Sequence, residues 1–295
     1  MYKQIHAGML NVSYVDAGDS AGWPVVLLHG FPYDIHCYDA VVPQLVANGA
    51  RVIVPFLRGY GFTRFVSRET LRSGEQAVLG YDLLKLLDAL RIQSAVLAGF
   101  DWGGRAACVV AALWPERVRG LVSCNGYNIQ NIAKSGEPIA PEAERRFWYQ
   151  YYFHSQRGYL CLERNRRAMC RLLWQLWSPG WAFDDATFER SAASFDNPDF
   201  VDVVIHSYRH RFGLAQGEPA VAEFEARLAA QPRIIVPAIT LEGERDGVNP
   251  PAGADAHARY FAGGHEYRLL PGVGHNPPQE NPDAFAAAVL AAHAS

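Results

Sequence analysis

The sequence predicts an α/β protein: a mostly parallel, doubly wound sheet with a helical cap inserted after the sixth strand. Three observations predict it. Short apolar runs alternate with helical patterns through the first 126 residues, the signature of successive strand–helix units. That alternation stops between about 127 and 231, where the chain reads as helical and is rich in Trp, Tyr, Arg and His, and strand-like runs then return. A chain of 295 residues that is 49% hydrophobic can bury one large core and still carry an insertion. The expected organisation is a core domain of residues 1–126 and 232–295 and a cap of residues 127–231.

Taken in order, residues 1–18 alternate like a strand hairpin and lack the apolar centre of a signal peptide. The runs at 24–29 (PVVLLH), 50–56 (ARVIVPF), 94–98 (SAVLA) and 119–124 (RGLVSC) are continuous enough in Val, Leu and Ile to be strands buried on both faces. Helical patterns at 39–47, 74–90 and 105–114 fill the gaps. After the insertion, 233–241 (RIIVPAITL) and 265–270 (HEYRLL) read as strands, and the alanine-rich stretch 283–294 as a closing helix. A formal charge of −3 with no basic block argues against nucleic-acid partners. No apolar run is long enough to span a bilayer, so no membrane association and a cytoplasmic location are expected. The five cysteines, Cys37, Cys108, Cys124, Cys161 and Cys170, are scattered without CxxC spacing and read as buried free thiols. Neither a metal nor an organic cofactor is expected.

The chemistry concentrates at Asp101, in Gly99-Phe100-Asp101-Trp102-Gly103-Gly104 between a predicted strand and a predicted helix. Glycines at 99, 103 and 104 suit a sharp, strained turn that lifts one side chain clear of the sheet. The helix start favours an ionised carboxylate there. A carboxylate attacking an acyl carbon would give a high-energy anhydride, so its natural electrophile is a saturated carbon bearing a leaving group. The product is an alkyl ester of the enzyme, which water must then hydrolyse with the help of a base and an oxyanion hole.

Together GFDWGG, HGFP at 29–32, RGYG at 58–61 and GVGH at 272–275 resemble the epoxide hydrolase and haloalkane dehalogenase branch of the α/β-hydrolases, over nearly the whole chain. The resemblance implies the α/β-hydrolase fold and an order of nucleophile, acid, histidine. His275 then falls in the position of the water-activating base. Glu242, Glu244 and Asp246 all follow the strand run ending at Leu241, and of these Asp246, matching the spacing LxGxxD in Leu241 to Asp246, falls in the position of the orienting acid; some relatives place that acid where this chain has Asn125. The resemblance also implies an oxyanion hole from the backbone amides of Phe31 and Trp102, with Pro32 shaping the loop. His29 belongs to that loop as a structural residue.

The leaving group follows from the cap. A departing epoxide oxygen needs donors still protonated at neutral pH, a role that suits tyrosine. Tyr149-Gln150-Tyr151-Tyr152-Phe153 resembles the YQxYF element of soluble epoxide hydrolases, and Tyr208-Arg209 their second Tyr-Arg element, which points to Tyr149 and Tyr208 as donors. Trp102 is expected as pocket wall, with Pro32, Arg105 and Gln150 beside the substrate. Fluoroacetate dehalogenases carry DRGGR, whose arginines hold a substrate carboxylate, where this chain has DWGGR; Arg105 binds an acidic group or bridges to a cap carboxylate. The leading expectation is an epoxide hydrolase acting on a small molecule. A haloalkane or haloacid dehalogenase using the same aspartate is the alternative, and a non-catalytic ligand receptor on a hydrolase scaffold the remote one.

Overall fold

A computed structural model describes residues 2–295. Its nine strands are β1 Lys3–Ala7, β2 Leu10–Ala17, β3 Trp23–Leu28, β4 Ala50–Pro55, β5 Arg64–Phe65, β6 Ala95–Gly99, β7 Val118–Cys124, β8 Ala238–Gly243 and β9 His265–Leu270. They form one sheet in the order β1-β2-β4-β3-β6-β7-β8-β9, with the two-residue β5 beside β2. The hairpin β1–β2 and its pairing with β4 are antiparallel, and every pairing from β4 to β9 is parallel. The central β6 is buried along its whole length, which is why its sequence is an unbroken apolar run.

The helices of the core are α1 Val42–Ala47, α2 Gln76–Ala89 and α3 Asp101–Leu113. Between β7 and β8 lie α4 Pro141–Arg146, α5 Trp148–His154, α6 Gln156–Trp177, α7 Asp185–Ala192, α8 Phe200–His210 and α9 Ala222–Ala229. The chain ends with α10 Ala254–Ala258, α11 Pro277–Glu280 and α12 Pro282–Ala294. Helices α3 and α12 both pack on β6 and β7 without packing on each other, so they cover opposite faces. Local chemistry sets several helix starts: Ser155 caps α6 by accepting from the Gly158 amide, Asp184 caps α7 through Thr187, and Asn281 caps α12 through Ala284. Among the described residues no helix is long and apolar enough to cross a membrane.

Two elements differ from expectation. The run 233–241 is not one strand: β8 starts at Ala238, and only a single bridge, Ile234 to Phe261, precedes it. Pro237 has no N–H to give the ladder, so pairing can begin only after it. The helix expected from residue 105 begins four residues earlier, making Asp101 its first residue.

Where the inserted helices meet α2, the buried Glu75 carboxylate accepts from the Glu218 amide at 3.1 and 3.2 Å and faces His210 Nε2 at 3.1 Å. Burial, with Glu225 adding to it, raises its pKa from the ordinary 4.5 to about 7. At acid pH below 4.5 the group is neutral in folded and unfolded chains alike and costs nothing. As pH climbs towards 7 the unfolded chain ionises first, so the fold loses up to roughly 3 kcal/mol. Thermal denaturation at pH 5 and pH 8 tests this: Glu75→Gln should lose less stability between the two than the wild type.

Candidate active site

The turn from β6 into α3 places Asp101 at φ +50°, a left-handed conformation that a non-glycine residue adopts only when its surroundings enforce it. Two neighbours have room only for glycine. A Cβ on Gly103 would stand 1.9 Å from the Leu28 carbonyl oxygen, and one on Gly30 would stand 2.4 Å from the Asp101 Cβ. The strand-end loop and the helix start are therefore pressed together around one carboxylate. Asp101 Oδ1 accepts a hydrogen bond from the Phe31 amide at 2.8 Å. The Trp102 amide lies in the first turn of α3, where N–H groups have no acceptor within the helix. Burial works against ionisation of Asp101, but His275, Arg105 and Arg211 outweigh it and hold its pKa below the usual carboxylate value.

His275 sits in the loop between β9 and α11, fully enclosed, with Nε2 3.7 Å from Asp101 Oδ2 and Nδ1 2.8 Å from Asp246 Oδ2. Asp246, three residues beyond β8, is fixed by the amides of Val248 at 2.9 Å and Asn249 at 2.8 Å, both to Oδ1. Nδ1 of His275 therefore donates to Asp246, and Nε2, which has no hydrogen-bond partner, faces Asp101. Burial lowers the proton affinity of His275, but the charges of Asp246 and Asp101 win and raise its pKa to about 10. In contrast His29, which accepts from the Leu57 amide at 3.1 Å, is driven down to about 4 by burial and stays neutral.

Several supporting contacts join residues that no local pattern in the sequence connects. Asn125, at φ +64° just past β7, donates to Asp246 Oδ2 at 3.0 Å, so the position where some relatives carry the acid here braces it. Ser178 Oγ accepts from the His275 amide at 3.0 Å and donates to Glu280 Oε1 at 2.6 Å. Glu280 also accepts from the amides of Gly274 at 2.6 Å and Asn276 at 2.9 Å, so one carboxylate clasps the histidine loop on both sides.

A cavity of about 300 Å³ opens over Asp101, walled by Arg105, Tyr149, Gln150, Asn249 and Arg211. Tyr149 comes from α5 and accepts at its hydroxyl from Gln150 Nε2 at 3.1 Å. Tyr208, from α8, is packed edge-on against Tyr149 at 5.3 Å between ring centres, and its hydroxyl is buried with no partner. Burial raises both tyrosines, Tyr149 to about 12, while Arg211 pulls against the rise in each. Both remain protonated donors at neutral pH. Tyr208, Trp102 and Pro32 lie behind the wall rather than on it: Trp102 is sandwiched against Phe31 and Tyr208, and the Pro32 carbonyl accepts from Trp174 Nε1 at 2.8 Å. The bridge from Arg105 to a cap carboxylate is absent among the described residues; its Nε donates to the Asn128 carbonyl at 3.2 Å instead.

Comparison with known proteins agrees with this architecture. The family described as alpha/beta hydrolase fold matches residues 24–282. A crystal structure from Klebsiella pneumoniae subsp. pneumoniae, described as "a putative epoxide hydrolase", is 50% identical, superposes with a TM-score of 0.97, and the match covers 100% of this chain and 97% of that one. Epoxide hydrolase B of Mycobacterium tuberculosis is 33% identical over 156 residues, 48% of this chain and 42% of that protein. The haloalkane dehalogenase of Mycobacterium marinum is 34% identical over 122 residues, 40% of this chain and 39% of that protein. The chain thus spans about two fifths of the length of these curated relatives. A parallel sheet with a carboxylate at its strand-to-helix elbow, an acid–histidine pair beyond the last strands and a match over 24–282 are one consistent pattern, and the chain belongs to the alpha/beta hydrolase fold family.

Proposed function

We propose that this protein is an epoxide hydrolase that opens its substrate through an alkyl ester on Asp101, with residues 127–231 acting as the cap. Asp101 Oδ2, the oxygen without an amide donor, attacks a ring carbon, and the C–O bond of the epoxide breaks. Tyr149, on the cavity wall, supplies the proton for the departing oxygen, and the buried Tyr208 hydroxyl, which has no other partner, comes into reach as the second donor when substrate seats against it. Esterification removes the Asp101 charge, one of the two anions that hold the proton on His275, so His275 releases that proton to solvent and regains one when the free carboxylate is restored. His275, steadied by Asp246, then takes a proton from water as the water attacks Cγ. The Oδ1 oxyanion is held by the amides of Phe31 and Trp102. Collapse breaks the Cγ–Oδ2 bond, the diol leaves with Oδ2, His275 returns its proton to that oxygen, and the second water proton restores the tyrosine.

The observation that carries this reading over its alternative is Tyr149, which lines the same cavity as Asp101 with Tyr208 packed on it. Replacing either tyrosine by phenylalanine should slow ring opening of styrene oxide by about 10² and replacing both by more than 10³, the scale of general acid catalysis. Diol formation by the single and double variants, measured in single turnover, checks this; undiminished ring opening in the double variant would contradict it. One observation favours dehalogenation instead: the indole N–H of Trp102, next to the nucleophile, is buried without a partner and could cradle a halide. Halide release from chlorinated or brominated alkanes with no turnover of any epoxide would establish that reading.

A further inference from the structure

Arg211, one residue past α8, and Arg105, one helical turn after Asp101, both wall the cavity that holds the nucleophile. Each is nearly enclosed, and neither forms an ion pair with an acidic side chain among the described residues. Arg105 donates only its Nε, to a backbone carbonyl, and Arg211 reaches only the Ser207 hydroxyl at 3.3 Å while its plane lies 4.3 Å from the Tyr208 ring centre. Arg211 Nε has no acceptor at all. Burying two like charges beside each other without an ion-pair partner is costly, and burial, with the Arg211 charge adding to it, pulls Arg105 down to about 10. Asp101 is an anion on which both of them act, and its two oxygens are turned to the Phe31 amide and to His275. Glu225 feels Arg105 but is committed to Gln76 and the Ala77 amide, and Lys134, Glu137 and Glu144 lie along the same cavity as a mixture of both signs.

We infer that Arg105 and Arg211 form a carboxylate-binding subsite, so that the substrate is an epoxide bearing a carboxylate within a few bonds of the ring. The inference rests on the epoxide hydrolase reading of the site for its reacting group, and on the two arginines for its charge. A rise of about 6 Å over four residues of helix separates the Cα atoms of Asp101 and Arg105, which is why the acid group must be close to the ring. The second role open to the arginines, keeping Asp101 ionised and Tyr149 acidic, would act on all substrates equally.

Two measurements separate these possibilities. Calorimetric titration with 3-phenylpropionate and 3-phenylpropanamide, neither of which reacts, should show the acid binding at least tenfold more tightly to the wild type, with that preference lost in Arg211→Gln and kept in Arg211→Lys. Equal binding of acid and amide overturns the inference whatever the enzyme turns over. Turnover of 3-phenylglycidate and 3-phenylglycidamide should then give a kcat/KM ratio of about 100 in favour of the acid, collapsing towards 1 in Arg211→Gln through KM for the acid. A ratio unchanged by Arg211→Gln overturns it, because both substrates would then be served alike. If the acid is bound selectively and neither epoxide is opened, the subsite stands and the epoxide reading fails.

Discussion

Asp101→Asn should abolish epoxide turnover, lowering kcat by at least about 10⁴-fold while leaving the fold intact. The amide is close to the carboxylate in shape, and its oxygen can still accept from the Phe31 amide that now holds Oδ1 at 2.8 Å. What it loses is the negative charge that attacks carbon. No covalent adduct should appear by intact-mass spectrometry after mixing with styrene oxide. The same variant removes an anion from the face of His275, whose pKa should fall below its value of about 10 in the native protein; histidine NMR titration measures that directly. Intact mass also confirms that the new amide has not been hydrolysed back to aspartate.

His275→Gln should give the complementary result: ester formation survives and ester hydrolysis slows by about 10³-fold, the range expected for loss of a general base. Mixing with styrene oxide should then leave the protein carrying one substrate equivalent of added mass, with diol appearing as a single burst at most. The wild-type enzyme sets the pH dependence of the two steps. Asp101 is held below the usual carboxylate value, so ester formation should fall off only at a lower pH than an ordinary aspartate would set. Ester hydrolysis needs neutral His275 and should rise with pH. Its apparent pKa should lie below about 10, since the Asp101 charge is gone from the ester. Rapid-quench measurement of the two phases separates them.

Much of this arrangement was legible in the sequence because it is written in local spacing. The glycines around Asp101 mark a turn that only small residues fit, and Gly103 meets the Leu28 carbonyl as such a turn requires. His275 and Asp246 each follow a strand run, and the parallel pairing of β8 and β9 carries both to the same edge, at 2.8 Å from each other. The parts that escaped are those made by contacts distant in sequence. Arg211 is one of many arginines in the insertion, and only the packing of α8 over the elbow turns it into the cavity. Asn125 read as a missing acid, whereas its amide supports Asp246 from the neighbouring strand. The Ser178–Glu280 clasp joins residues 102 positions apart. Pro237 stands inside the run 233–241 that reads as one strand, and its missing N–H sets the start of β8.

Covalent esterification of Asp101 can be read from single turnover of styrene oxide in oxygen-18 water with enzyme in excess. Hydrolysis of the ester puts the solvent oxygen into the Asp101 carboxylate, so the first diol should carry no label and the peptide containing Asp101 should gain it. A first-turnover diol carrying one solvent oxygen, with Asp101 unlabelled, would mean that water attacks the epoxide directly and that no ester forms on Asp101.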